Sequence, residues 1–318
     1  MNNHTVSVIV PIYNAEPYIC QTMDSLVNQT LNDMEIIAVN GGSTDKTGEI
    51  LDTYAERFPQ VKVIHQECVS QAHNVNTGLR IATGEYVAEC DADDFASIFM
   101  YQKLYAAAEH RADVVHCGLT GFWADGKVQY APLNVPEDWR KINPQELTPE
   151  YMGVLFGKLV SLPSGIYRRE FILENELFWR EGGQNYEDTN VAFKIRATAT
   201  DYRFVDECLY YYRRDNPNSG SATIKDEFAI CEQYEETERY LKERGLEKFM
   251  TYLNVRRYYD YIWSLQRTPD ERKWNFVQRC QEDFRKYPAD GELFNTDEDF
   301  RAYCNIKYGA WRETGVLL

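Results

Sequence analysis

Three carboxylates crowd one short stretch of this 318-residue chain: Asp91, Asp93 and Asp94, in the run Cys90-Asp91-Ala92-Asp93-Asp94. Carboxylates one residue apart in a tight loop can converge on a single divalent cation, and oxygen ligands suit Mg2+ or Mn2+. A cation there can bridge the two phosphates of a nucleoside diphosphate and neutralise it as a leaving group. The plainer reading is a helix N-terminus, with Asp94 as its cap and the other two carboxylates solvated.

The elements that must position these residues favour the cation. Residues 6–10, Val-Ser-Val-Ile-Val, form an apolar, β-branched run stopped by Pro11, which reads as a buried parallel strand. Ile19, Met23, Leu26 and Val27 mark a helix over 16–29 by their spacing. Strands follow at 35–39, 61–65, 86–90 and 113–117. Helices lie between them, one running from the GGSTD turn to about Phe58 with Thr44 or Asp45 as its cap, the others over 72–82 and 98–110. Strand and helix thus alternate for some 120 residues, the signature of a mostly parallel α/β sheet with helices on both faces. Ligands of such sheets bind at the carboxyl ends of the strands. PIYN, NGGSTD and CDADD each follow a predicted strand directly, which puts them on one rim. Residues 121–150 read as loop-rich, 154–215 as mixed structure with a strand-like run over 201–212, and 226 onward as helices broken near 268–270 and 288–291.

Composition narrows the partners. A net charge of -16 argues against nucleic acid, since phosphate backbones reward dense Lys and Arg. The eight cysteines show no CxxC pair and read as free thiols. The opening residues lack the features of a secretion signal and no apolar stretch reaches bilayer length, so the cytoplasm is the expected compartment.

Four segments in order, VSVIVPIYNAEPYI, IIAVNGGSTDKT, NTGLRIATGEYVAECDADD and NYEDTNVAFKI, resemble the inverting family 2 glycosyltransferases of the GT-A fold, members of the nucleotide-diphospho-sugar transferase superfamily. The resemblance covers roughly residues 5–215. It implies a metal-dependent hexosyltransferase that moves a hexose or N-acetylhexosamine from a nucleoside-diphosphate sugar, UDP-linked by expectation, to a saccharide or lipid-linked acceptor in bacterial surface-polysaccharide synthesis. By family position Asp93 is the metal ligand, and Asp91 approaches the metal, the ribose or groups behind them. Pro11, Ile12 and Tyr13 match the loop beside the nucleotide base, where the Tyr13 ring offers a stacking face. Asp188 matches the base that takes the acceptor proton in a single displacement, with Glu187 as its neighbour; the plainer reading is that both favour a helix N-terminus. Arg213 or Arg214, and Ser219, match a stretch near the diphosphate, where a guanidinium fork suits phosphate oxygens.

Two positions depart from the family pattern. Gly41 stands where an aspartate normally accepts the imide hydrogen of uracil, and Val75 replaces an arginine near base or phosphates. Asn40, His73 or Asn74 are the candidates to substitute; another base, or lost activity, are the alternatives. The expected organisation is a catalytic domain over 1–225, with its nucleotide part near 1–120 and acceptor part over 121–225, then a helical extension over 226–318. That extension carries Tyr252, Arg256, Arg257, Tyr258, Tyr259, Tyr261, Ile262, Trp263 and Arg267, a stripe fitting internal packing, a dimer seam or the inner face of a membrane. A catalytically silent binding subunit stays open as an alternative. A nucleotidyltransferase does not fit, because PIYNAEPY lacks the glycines and basic residues of a phosphate loop.

Overall fold

The computed structural model describes residues 4–67, 70–132, 140–157, 161–181, 186–219 and 226–309. The first half runs β1 (Val6–Ile12), α1 (Ile19–Val27), β2 (Met34–Gly41), α2 (Thr47–Arg57), β3 (Val61–Gln66), α3 (Gln71–Ile81), β4 (Tyr86–Glu89), β5 (Phe95–Ala96), α4 (Met100–Ala108) and β6 (Val114–Phe122). Then come β7 (Val128–Ala131), β8 (Lys141–Ile142), α5 (Pro149–Gly157), β9 (Gly165–Arg168), α6 (Arg169–Glu174), α7 (Glu187–Thr198) and β10 (Tyr202–Arg213). Among the described residues after 226 there are four α-helices: α8 (Ala229–Glu243), α9 (Met250–Arg267), α10 (Asp270–Lys286) and α11 (Asp297–Tyr308).

These elements fall into two compact units. The first comprises Met1–Glu146, Val160–Gly182 and Thr198–Pro217; the second comprises Leu147–Leu159, Gly183–Ala197 and Asn218–Leu318. The helical part thus takes in α5 and nearly all of α7 as well as the chain after 218.

Among the described residues ten strands form one sheet of the first unit, in the order β3-β2-β1-β4-β9-β6-β10-β5, with β7 on β6 and β8 on β10. β3, β2, β1 and β4 are mutually parallel, as are β6 and β10. β9 runs antiparallel between β4 and β6. Every residue of β1 and β2 is buried, as a strand covered on both faces requires. Val8, Val10, Ile36, Ala38 and Ala88 share a core with Ile19, Met23, Leu51 and Leu104, each large aliphatic side chain contributing about 1.5–3 kcal/mol by leaving water. On the other side α3 comes close to β1 at Gly78, where an added Cβ would lie 2.5 Å from Ile9 Cγ2.

The polar residues at the amino ends of these strands are tied together. Glu35 in β2 accepts from Ser7 Oγ at 2.6 Å, Lys62 Nζ at 2.5 Å, and Thr83 N and Oγ1 at 2.6 and 2.8 Å. Burial alone would raise this carboxyl; those four donors outweigh it and hold the pKa at about 2.

Three local expectations change. α4 begins at Met100 with Phe99 at its N-cap, so Asp94 caps no helix; the chain after it enters β5 instead. Lys46 occupies the N-cap of α2 without a side-chain bond, although Asp45 Oδ1 accepts from Thr47 N at 3.0 Å. Residues 121–150 contain β7 and β8, and these short strands extend the edges of β6 and β10.

The second unit has an aromatic core of its own. Phe156, Phe193, Phe249 and Tyr252 pack ring on ring, and Tyr258, Phe284, Phe294 and Tyr303 form another set. Arg257 is 1% exposed, its guanidinium 4.1 Å from the Tyr287 ring centroid and 5.2 Å from that of Tyr234. Tyr252, Arg257, Tyr258 and Tyr261 of the C-terminal stripe are therefore packed inside this unit. Among the described residues no helix is long and apolar enough to cross a membrane, and seven cysteines are free thiols.

Candidate active site

Because β2, β1 and β4 are adjacent and parallel, their carboxyl ends bring PIYN, NGGSTD and CDADD to one rim of the first unit. The first two loops lock each other. Asn14, at φ 48, accepts from Thr44 N at 2.8 Å through Oδ1, and its own N donates to Ser43 Oγ at 2.9 Å. Glu16 N donates to Asp45 Oδ2, and Lys46 N to Glu16 Oε2, both at 3.1 Å. Pro11 and Ile12 are buried in β1 opposite Val39 and Asn40, and so anchor the loop. Tyr13 beyond them is 54% exposed, leaving its ring face open for stacking.

Asn40 is turned inward. Its Oδ1 accepts from Ser43 N at 3.1 Å, and its Nδ2 lies 3.0 Å from His65 Nδ1. Next to it, the space left by the missing side chain of Gly41 is filled: a Cβ there would sit 2.5 Å from Asn74 Nδ2. Gln66 Nε2 donates to Asn74 Oδ1 at 2.5 Å and fixes that amide. Val75 is 1% exposed and belongs to the core. His73 meets Glu181 at 2.8 Å, and Arg80 and Asn76 donate to the same carboxylate. Burial opposes this cluster, yet Asn76, His73 and Arg80 together hold Glu181 at about 2. Asn76 also brackets the Trp179 backbone through both ends of its amide.

The acidic turn is divided by its surroundings. Asp94 is 1% exposed. It accepts from Tyr210 Oη at 2.7 Å and from Arg213 N at 2.7 Å, and burial with the neighbouring Asp91 and Asp93 charges pushes its carboxyl well up. Tyr210 Oη also accepts from Asp91 N at 3.2 Å. This tyrosine reaches the turn where the β6–β10 register slips between Val205 and Tyr210, a bulge of the kind that re-aims side chains. β5 then pairs with β10 and clamps the turn's far end.

Asp93 and Asp91 remain toward the rim. Asn216 Nδ2 donates to Asp93 Oδ2 at 2.7 Å, and Gln71 Nε2 to Asp91 Oδ1 at 3.1 Å. Arg213 lies behind the turn: Nε donates to the Asp93 carbonyl at 2.9 Å, one terminal nitrogen reaches Gln21 Oε1 at 2.6 Å, and the guanidinium stacks on Tyr18 and Phe122. It is 8% exposed. Among the described residues no three His, Cys, Asp or Glu side chains form a metal cage. Asp91 and Asp93 offer two carboxylates, the oxygen-only set that Mg2+ or Mn2+ uses when substrate phosphates supply further ligands.

Glu187, Asp188 and Ser219 belong to the second unit. Glu187 and Asp188 open α7. Asp188 keeps solvent access, and Thr189 N donates to its Oδ1 at 2.8 Å. The surrounding protein mass raises its pKa and Asp260 adds to the rise, while Thr189 N–H and the Arg256 charge oppose it. Tyr186, just before this pair, sits at φ 70; a left-handed backbone on an aromatic residue costs about 1–3 kcal/mol.

Sequence reasoning missed Tyr210 and Asn216 as partners of the acidic turn. Tyr210 lies inside the strand-like run over 201–212 with no local signal of its own, and Asn216 lies 123 residues from Asp93, beyond any local spacing rule.

Comparison with known proteins places this geometry. The profile of glycosyl transferase family 2 matches residues 7–199. The uncharacterized glycosyltransferase EpsJ of Bacillus subtilis is 36% identical over 216 residues, 67% of this chain and 62% of EpsJ, so the chain spans under two thirds of that relative. TarS 1–349 of Staphylococcus aureus, solved with UDP-GlcNAc, superimposes with a TM-score of 0.74 at 19% identity, covering 97% of this chain and 92% of TarS 1–349. The mannosyltransferase PcManGT of Pyrobaculum calidifontis, solved with GDP-Man and Mn2+, gives 0.53 at 18% identity over 96% of this chain and 84% of its own. With its α/β sheet, its rim loops and a profile match across more than half its length, the chain belongs to glycosyl transferase family 2.

Proposed function

We propose that this protein transfers a hexose or N-acetylhexosamine, with inversion, from a UDP-linked sugar to a saccharide or lipid-linked acceptor in bacterial surface-polysaccharide synthesis. The observation that carries the reading is the division of the acidic turn. Tyr210 and Arg213 draw Asp94 into the interior, while Asp91 and Asp93 are held at the rim by Gln71 and Asn216. That TarS was solved with a UDP-sugar supports the donor class, and the Mn2+ of PcManGT supports a divalent cation.

In this mechanism Tyr13 stacks on the base, and Asn74, in the space beside Gly41, meets its edge. Asp91 and Asp93 are the residues that would hold Mn2+ or Mg2+, which would supply positive charge to neutralise the diphosphate leaving group. Arg213 keeps the turn in shape through the Asp93 carbonyl. Asp188 accepts the proton of the acceptor hydroxyl as that oxygen bonds to the anomeric carbon and the bond from that carbon to phosphate oxygen breaks. A carboxylate with a raised pKa is a stronger base than an ordinary aspartate, which suits the step.

Calorimetric titration with UDP, GDP, CDP and ADP, each with and without Mn2+, tests the reading. UDP binding should strengthen with Mn2+ and lose that increment in Asp93→Ala. A folded protein that binds none of the four would instead favour a silent subunit.

A further inference from the structure

The start of α7 is tied to α8 and α9 by side chains. Tyr186 is 8% exposed and meets the Trp263 ring edge-on, with centroids 5.6 Å apart and planes at 82°. The Trp263 ring is itself fixed by the Arg267 guanidinium, 3.8 Å from its centroid. One turn on, Asn190 Nδ2 donates to the Gln233 carbonyl at 3.0 Å. Another turn on, Lys194 pairs with Glu236 and lies 5.3 Å from the Tyr240 ring centroid. On the same helices Asp260 is held by Tyr234 Oη at 2.7 Å and by both arms of Arg256.

The strained residue is the informative one. A left-handed Tyr186 relaxes unless its surroundings over-determine it, and the edge-on contact with the Trp263 ring is part of those surroundings. That backbone angle sets the direction in which the chain enters α7, and Asp188 lies two residues later. Burial of the Tyr186 ring against Trp263 therefore converts into a fixed orientation for the first turn.

We propose that Trp263, acting through Tyr186, is a positioning residue for Asp188, so that the C-terminal helices are an integral part of the catalytic machinery. The proposal rests on the reading of Asp188 as the base. It gives the aromatic stripe of α9 a role in turnover beyond filling a core.

The test separates the two readings by using two measurements on the full chain. The first needs no substrate: hydrogen exchange at amides 188–191 in wild type, Trp263→Ala and Trp263→Phe. Trp263→Ala should speed exchange there by about tenfold or more while β1 to β4 stay protected, and Trp263→Phe should restore protection. The second is release of UDP from UDP-N-acetylglucosamine with Mn2+. Trp263→Ala should lower kcat about 10–100-fold at unchanged KM, as expected when a reacting group is misplaced by about 1 Å, with Trp263→Phe near wild type. If Trp263→Ala does not fold, Tyr186→Gly replaces it: it keeps the left-handed backbone without the ring and should show the same two effects. Unchanged exchange at 188–191 in a folded Trp263→Ala or Tyr186→Gly overturns the positioning role. Full turnover by Asp188→Asn, with exchange behaving as expected, would instead sink the base assignment and leave the clamp standing.

Discussion

Replacing Glu35 by Gln removes one negative charge at the amino ends of β1 to β4 while keeping the side chain's size. The carboxyl is 1% exposed and holds four donors from Ser7, Lys62 and Thr83. Its pKa falls from the ordinary 4.5 to about 2, a gap of about 3 kcal/mol in favour of the charged folded form. The sign follows from the depressed value: the contribution is complete above pH 4.5 and is lost as pH falls toward 2. Glu35→Gln should therefore lower the stability of the sheet by about 3 kcal/mol at pH 7 and by only about 1.5 kcal/mol at pH 3. A urea titration read by hydrogen exchange on peptides of β1 and β2 measures both differences in the unit concerned. A loss under about 1 kcal/mol at pH 7, or one that does not shrink between pH 5 and pH 3, refutes the reasoning.

Gly41→Asp should cost about 1–3 kcal/mol because its Cβ would collide with the fixed Asn74 amide; thermal unfolding should show the loss, with Asn74→Ala restoring most of it. Tyr210→Phe strips one donor from buried Asp94 and one acceptor from Asp91 N. It should cost about 1–3 kcal/mol and weaken Mn2+-dependent UDP binding, both measurable on one purified variant. Since the Asp188 pKa is raised, kcat/KM should decline on the acid side from a higher pH than an ordinary aspartate would set. A pH–rate profile with the limb of an unperturbed carboxyl would count against that role.

The alternating strands and helices of the first 120 residues were legible because each is a local pattern: β-branched runs for β1 and β2, and helical spacing of Ile19, Met23 and Leu26 for α1. Adjacent parallel strands necessarily end on the same rim, so the convergence of PIYN, NGGSTD and CDADD was legible too. Helical character after 226, with breaks near 268 and 290, was equally local in origin.

Tertiary structure decided what depends on partners far along the chain. Four residues, Gly165–Arg168, enter the sheet as β9 between β4 and β6, a choice that no short apolar segment announces. Three aspartates within four residues look alike in sequence, yet Tyr210 and Arg213, more than a hundred residues later, bury Asp94 while Asn216 holds Asp93 at the rim. The lost side chain at Gly41 reads as a deficit until Asn74 is seen to fill its space. Asp188 likewise reads as part of one N-terminal domain, whereas the start of α7 takes its hold from Trp263 and Gln233 in the helical unit. Residue type and spacing fix the repertoire of each segment; burial, hydrogen bonding and strain, set by distant neighbours, select which carboxylate faces solvent and which becomes structure.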